Sequence, residues 1–175
     1  MDLTAPAVRV RPAAADDAPA LADFARRLFH ETFAADNRPA DMTAYEADTF
    51  SAERQAAEIA DPDGLVLLAT LGESWVGYAH LGAGTPPAGV PTPAVEVRRF
   101  YVDPAWHGRG VAASLMTAVQ HAAAARGARA LWLGVWERNA RAIAFYAKWG
   151  FTDVGTQPFR LGDDLQTDRV MARAL

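Results

Sequence analysis

The sequence predicts a mixed α/β domain in which one central sheet of about six to seven strands is flanked by about four helices. Strand-like and helix-like stretches are interleaved along the chain, and from Val95 to Gly155 they follow in the order β-α-β-α-β. Half of the 175 residues are apolar (51%), which is enough to build a sizeable core. That length suits one core, so residues 1–175 are read as a single domain.

Val8 to Arg11 alternates as a short strand that Pro12 ends. Asp16 or Asp17 can cap the next helix, along which Leu21, Ala25, Leu28 and Thr32 recur at helical spacing. Asn37 to Asp41 is a break before a second helical stretch from Met42 to Ala60, which Ser51 can restart as an N-cap. The turn Asp61-Pro62-Asp63-Gly64 leads into two strands, Leu65 to Thr70 and Trp75 to Leu81, paired as a hairpin around Gly72. Gly82 to Pro93, rich in Pro and Gly, reads as a surface loop with no core of its own. Val95 to Val102 is a long strand. Val111 to Arg126 is a helix with Val111, Leu115, Val119 and Ala122 on one face and Gly127 as its stop. Ala130 to Trp136 is a buried strand, and Asn139 caps a helix that Gly150 ends. Phe151 to Gly155 and Arg169 to Ala174 are the last strands.

Several function classes fall away on composition. A net charge of −4 offers no basic stripe for a phosphate backbone, so no nucleic-acid partner is expected. The absence of cysteine excludes disulfides, thiolate nucleophiles and Cys-based metal sites. His30, His80 and His121 lack metal-ligand spacing, so no metal is expected. Met1 to Arg11 carries no leader pattern, and no apolar run nears the ~20 residues of a membrane span; a soluble cytoplasmic protein is the expectation. Trp132, Trp136 and Trp149 read as core rather than as ligand platforms.

The strongest local pattern is Tyr101-Val102-Asp103-Pro104-Ala105-Trp106-His107-Gly108-Arg109-Gly110-Val111-Ala112, a strand, a tight glycine loop and a helix start. Backbone N–H groups at such a junction converge, and the helix dipole adds positive potential, so an anion is favoured there. Gly108 and Gly110 permit close approach and dihedrals closed to other residues. The stretch resembles the Arg/Gln-x-x-Gly-x-Gly/Ala signature of GNAT acetyltransferases, which binds the pyrophosphate of coenzyme A. Gly110 and Ala112 fit the signature, whereas His107 stands where Arg or Gln is usual. The resemblance implies acetyl-CoA as cofactor, held by the backbone of His107, Gly108, Arg109, Gly110, Val111 and Ala112. No Gly-Lys-Ser/Thr is present, so a Walker-type nucleotide loop is not expected.

Asn139-Ala140-Arg141-Ala142, then Phe145-Tyr146 and Gly150-Phe151, resembles the second signature of that family. Asn139, Ala142 and Tyr146 are spaced to share one helix stripe. By this resemblance Asn139 and Ala142 meet the pantetheine arm, and Tyr146 is the acid for the leaving thiolate. Phe100, Tyr101 and Val102 lend backbone groups to pantetheine and the acetyl carbonyl. Transfer to an amine also needs a proton removed from nitrogen. By the same resemblance Glu96, six residues before Val102 where some histone-acetylating members place their base, is the candidate base, directly or through water; other members use only water and backbone carbonyls.

The acceptor is normally shaped by the N-terminal helices, which here offer Phe29, Glu31, Phe33 and Asp36 as substrate residues. Leu131 to Asn139, together with Phe159 to Asp164 and Gln166 to Asp168, looks similar to bacterial spermidine/spermine N-acetyltransferases. The implied partner is a small-molecule amine, foremost a polyamine, with an amino acid, an antibiotic amine or a protein N-terminus behind it. A homodimer is admitted as an assembly. A non-catalytic acyl-CoA-binding regulator is the alternative from another class.

Overall fold

Apolar runs that are buried on both faces set the architecture, which the computed structural model describes for residues 7–175. Residues 1–6, part of the stretch read above for a leader, lie outside the described residues. In chain order the elements are β1 (Arg9–Pro12), α1 (Ala18–Phe33), α2 (Pro39–Thr49), α3 (Ala52–Ala60), β2 (Leu65–Leu71) and β3 (Ser74–Gly82). Then follow β4 (Ala94–Val102), α4 (Val111–Ala125), β5 (Ala130–Trp136), α5 (Ala140–Lys148), β6 (Thr152–Leu161) and β7 (Asp164–Ala174). The seven strands form one sheet in the order β1-β2-β3-β4-β5-β7-β6. Only β4 and β5 are parallel among these neighbours; the remaining pairs are antiparallel.

Successive side chains of a strand point to opposite faces, and β2 shows the consequence. Leu67 and Ala69 join α4 residues Val111, Leu115, Met116 and Val119 in one core. Val66 and Leu68 join Leu21, Ala25 and Leu28 of α1, with Met42 and Phe50, in the core on the other face. Each fully buried leucine contributes roughly 1.5–3 kcal/mol against leaving it exposed.

Five helices stand where about four were expected, because the stretch from Met42 to Ala60 breaks at Phe50 and restarts at Ser51. The Ser51 hydroxyl accepts from the Arg54 N–H at 3.1 Å, satisfying one of the free donors of α3. The cap expected from Asp17 differs. Its carboxylate instead accepts from the Ala14 N–H at 2.7 Å and from Arg11, fixing the 3-10 turn that precedes α1.

β6 and β7 are longer than their patterns predicted, running to Leu161 and back from Asp164. β6 is an edge strand whose side chains are exposed from Thr152 to Thr156, so no alternation marks it, and an edge tolerates Pro158. The loop before β4 also differs: Val90 is buried with Ala130, Trp132, Val170 and Ala172 in a third, small cluster.

Two irregularities of β4 create the site. A bulge shifts its register on β3, so that His80 pairs Arg99 while Leu81 pairs Val97. Such a bulge re-aims the side chains beyond it. The parallel pairing with β5 then covers Ala94 to Glu96 alone, against Ala130 to Trp132. Beyond these residues the two strands part.

Candidate active site

The split between β4 and β5 opens into two cavities that meet at one wall. Both are lined by Phe100 and Tyr101 of β4 and by Asn139, Ala142 and Tyr146 at the start and along the face of α5. The Asn139 side chain accepts from the Ala142 N–H at 3.2 Å, as a cap should, which fixes where α5 begins. Phe100 stacks on Phe145 with centroids 5.4 Å apart and meets Tyr146 edge-on at 6.2 Å. Tyr146 is thereby held between strand and helix, 7% exposed. Burial raises its phenol above the ordinary tyrosine value, so it carries its proton at neutral pH.

The first cavity adjoins the loop before α4. Val102, Pro104, His107, Ala112 and Arg141 complete its wall, with Glu31 and Thr32 from α1. Asp103 organises the loop: its carboxylate accepts from the Ala105 N–H at 2.9 Å and from Arg27 at 2.7 Å. Gly108 and Gly110 have φ of 75° and 79°, the left-handed region that favours glycine, and a Cβ on either would meet open space. They carry the chain into α4, whose first N–H groups lack partners within the helix and face an incoming anion. His107 is committed elsewhere, its Nε2–H donating to the Val102 carbonyl at 3.0 Å. Imidazole thus braces the loop that a family Arg or Gln would bring to the ligand. Arg109 lies over the Trp106 ring at 5.0 Å, and the Val111 side chain is buried in the core, leaving only its backbone for a ligand.

The second cavity lies on the α1–α3 side of the sheet. Phe29, Phe33, Tyr45, Phe50, Trp136 and Phe159 give it a wall of rings, among which Phe29 stacks on Tyr45 at 4.8 Å and Phe33 meets Trp136 edge-on at 5.9 Å. Trp136, read from sequence as core, is therefore cavity wall; β5 has left its neighbour by this point and the indole has no strand beside it on β4. At the same cavity Arg99 forms a two-point ion pair with Glu58, at 2.6 and 2.9 Å. Burial works against the charge of both, but their mutual hydrogen bonds and attraction prevail: Glu58 stays below and Arg99 above its ordinary value. His80, buried beside them with its Nδ1 3.6 Å from Glu58, is pushed down to about 4 by burial and is neutral. Asp168 of β7 is the acidic residue on this wall.

A family model described as the acetyltransferase (GNAT) family matches residues 22–151. The chain belongs to that family. An uncharacterised N-acetyltransferase of Mycobacterium tuberculosis is 38% identical over 159 residues, covering 91% of this chain and 98% of the relative. Another from Lactobacillus delbrueckii subsp. lactis is 30% identical over 169 residues, covering 96% and 98%. Among solved structures, the PaiA N-acetyltransferase of Thermoplasma acidophilum in complex with coenzyme A shares the fold at a TM-score of 0.80 and 20% identity, covering 97% and 99%. The mixed seven-stranded sheet with its parted central strands is this GNAT fold.

Measured on that GNAT frame, the sequence-predicted residues separate into three groups. Phe100, Tyr101, Val102, His107, Ala112, Asn139, Ala142 and Tyr146 line the first cavity, while Gly108, Arg109, Gly110 and Val111 shape the loop behind it. Phe29 and Phe33 line the second cavity. The charged candidates stand elsewhere. Glu31 lines the first cavity and pairs with Arg27 at 3.2 Å, and Asp36 is outside both, 3.8 Å from Arg138. Glu96 lines neither cavity; its carboxylate accepts from Arg98 Nε at 3.3 Å, beside Trp132 where β4 and β5 are still joined. Sequence reasoning missed Asp168, Trp136 and the Glu58–Arg99 pair as site residues. The one sequence signal that touched Asp168 was the resemblance of the Gln166 to Asp168 tail.

Proposed function

We propose that this protein transfers the acetyl group of acetyl-CoA to the nitrogen of a small primary amine. The observation that carries the reading is the position of Tyr146, which lines both cavities at the mouth of the split. One cavity ends at a helix N-terminus suited to phosphates, and the other is walled by rings suited to an organic body. Phe100, Tyr101, Asn139, Ala142 and Tyr146 border both.

The cleft fits a coenzyme A thioester. Beyond Glu96 the β4 edge that faces β5 has no strand partner, so apart from the Val102 carbonyl, which His107 engages, its backbone groups are open to an extended chain lying in the gap. Gly108 and Gly110 leave open space at the loop, and Arg141 adds positive charge to the wall. In this reading the amides from Gly108 to Ala112 hold the pyrophosphate, Asn139 and Ala142 border the pantetheine arm, and Tyr146 stands by the sulfur. Acetyl-CoA supplies an activated acyl group. Phenol protonated by burial can donate to a developing thiolate, an interaction made mainly in the transition state. Proton removal from the amine falls to a carboxylate or to water. Arg98 holds the Glu96 carboxylate outside the cavity, so Glu96 reaches the amine only through water.

The polyamine expectation rests on sequence resemblance. The cavity supports a cation through its rings and through one carboxylate, and it brings neither Glu31 nor Asp36 to the wall. Release of the coenzyme A thiol on a panel of spermidine, spermine, monoamines, amino acids and an amino-terminal peptide tests the reading. Turnover of any of them separates an enzyme from an acyl-CoA-binding regulator, which would show an acetyl-CoA melting shift and no release.

A further inference from the structure

The cavity walled by rings contains an imbalance of charge. Arg98 and Arg99 line it, and each already has a carboxylate partner, Glu96 and Glu58. Asp168 lines it too, 7% exposed, on β7 between Trp136 of β5 and Gln157 of β6. Its carboxylate lies over Gly134, where a Cβ would stand 2.9 Å from Oδ2. The Gln157 amide stands next to it over Gly134, with its Nε2 closer still to the same Cβ position, but among the described residues no cation or donor is hydrogen-bonded to the carboxylate, and burial raises its pKa to about 6. Burying a carboxylate without a partner is unfavourable in a fold. This one faces a cavity from which an organic cation can reach it.

The rings around it complete the picture. Phe33 meets Trp136, and Tyr45 meets both Phe29 and Phe159 with centroids 4.8 and 5.5 Å away. Aromatic faces attract a cation and bury an apolar body. Unsatisfied charge at the wall amounts to one negative group, so one ammonium balances it. A di- or trication would bring its further ammonium groups beside two guanidiniums.

Resting on the acetyl-transfer reading above, we propose that Asp168 receives the acceptor's ammonium and takes its proton, and that the acceptor is a primary amine with a single positive charge on an apolar or aromatic body. The ammonium gives one proton to the Asp168 carboxylate. The neutral nitrogen then forms the C–N bond to the acetyl carbon as the C–S bond breaks. Nitrogen sheds its second proton, the departing sulfur takes one from Tyr146, and the phenol regains it from the nitrogen. Asp168 returns its own proton to water, so the products are the N-acetyl amine, the free thiol and one proton. The other groups facing this cavity hold their charge across the working range. Tyr45, Tyr101 and Tyr146 are raised by burial, and the Arg99–Glu58 pair stays ionised between about pH 5 and pH 9.

The test compares wild type, Asp168→Asn and Asp168→Glu with two probe amines, 2-phenylethylamine and spermidine, over pH 5–9. The wild type is expected to favour 2-phenylethylamine by about tenfold or more in kcat/KM. Its profile should rise through about pH 6 and then stay level. Asp168→Asn should lose roughly 10²–10⁴ in kcat/KM and rise instead toward the amine's own pKa, with Asp168→Glu recovering part of the loss. The melting shift given by acetyl-CoA should persist in both variants, which shows that they are folded and cofactor-competent. An Asp168→Asn enzyme within about threefold of wild type, or one that keeps the rise near pH 6, overturns the assignment. A wild-type preference for spermidine overturns the acceptor class. A wild type with neither an acetyl-CoA shift nor turnover of any amine overturns the acetyltransferase reading itself, and this one with it.

Discussion

Asp168 and Gly134 touch across the β5–β7 pair so closely that a methyl group at Gly134 would stand 2.9 Å from Asp168 Oδ2. Glycine is needed there for close approach rather than for its backbone freedom. Gly134→Ala should displace the Gln157 amide, which the methyl would approach more closely still, and with it the Asp168 carboxylate at 2.9 Å; both are side-chain ends that can shift, so the cost sits at the low end of the roughly 1–3 kcal/mol of overpacking. Amine kcat/KM is expected to fall while the acetyl-CoA melting shift is unchanged. Equal loss of both would place the effect on the fold rather than on the amine side.

Asp168 also carries a stability prediction with a definite sign. Its pKa is raised from the ordinary 3.8 to about 6, so the folded protein binds this proton more tightly than the unfolded chain does. Ionising it therefore costs stability, nothing below about pH 3.8 and the full amount above about pH 6. At 1.36 kcal/mol per pH unit that amount is roughly 3 kcal/mol. Asp168→Asn should melt higher than wild type at pH 7, and the gap should close toward pH 4. A variant that melts lower at pH 7 contradicts the unpartnered burial of this group.

Gly110 marks the entry to α4 at φ 79°. A Cβ there meets nothing within 4 Å, so the cost of a side chain is set chiefly by the left-handed backbone, roughly 1–2 kcal/mol. For a domain of this size that is a fall of about 2–8 °C in Tm. The protein should still fold, and acetyl-CoA should no longer raise its Tm, because the side chain occupies the anion seat. In the wild type the same ligand at a hundredfold excess over Kd adds about 2.7 kcal/mol. A retained shift in Gly110→Val would move the pyrophosphate away from this loop.

Tyr146→Phe keeps the ring that packs on Phe100 and Phe151 and removes only the hydroxyl. Turnover should drop by roughly 10²–10⁴ with the Kd of acetyl-CoA little changed. Single-turnover kinetics make the check, since they isolate the chemical step. An unaltered chemical step would exclude the phenol as the acid.

The fold was largely legible in the sequence because most of its elements announce themselves through periodicity and punctuation. Ser51, Asn139, Gly127 and Gly150 stand at helix boundaries as their chemistry demands. The cofactor half of the site was legible for the same reason: it is a contiguous loop with two left-handed glycines, followed by a helix that Asn139 caps. The acceptor half was not. Its wall joins Phe29, Tyr45, Trp136, Phe159 and Asp168 from five separate elements, and nothing local distinguishes a cavity ring from a core ring. Glu96 illustrates the limit. Its distance from Val102 suggested a base, but the bulge opposite His80 and the Arg98 contact, both set by pairing across the sheet, decide where its carboxylate stands. The sequence pattern covers only part of the β6–β7 hairpin because an exposed edge strand has no hydrophobic period.

The central claim is tested most directly by incubating the purified chain with acetyl-CoA and a primary monoamine, then following thiol release and the mass of the amine together. The account predicts equal amounts of free coenzyme A and of amine carrying one acetyl group, with both abolished when the amine is omitted. Acetyl-CoA that stabilises the protein but yields no acetylated amine across the panel, or thiol release that proceeds at the same rate without amine, would contradict it.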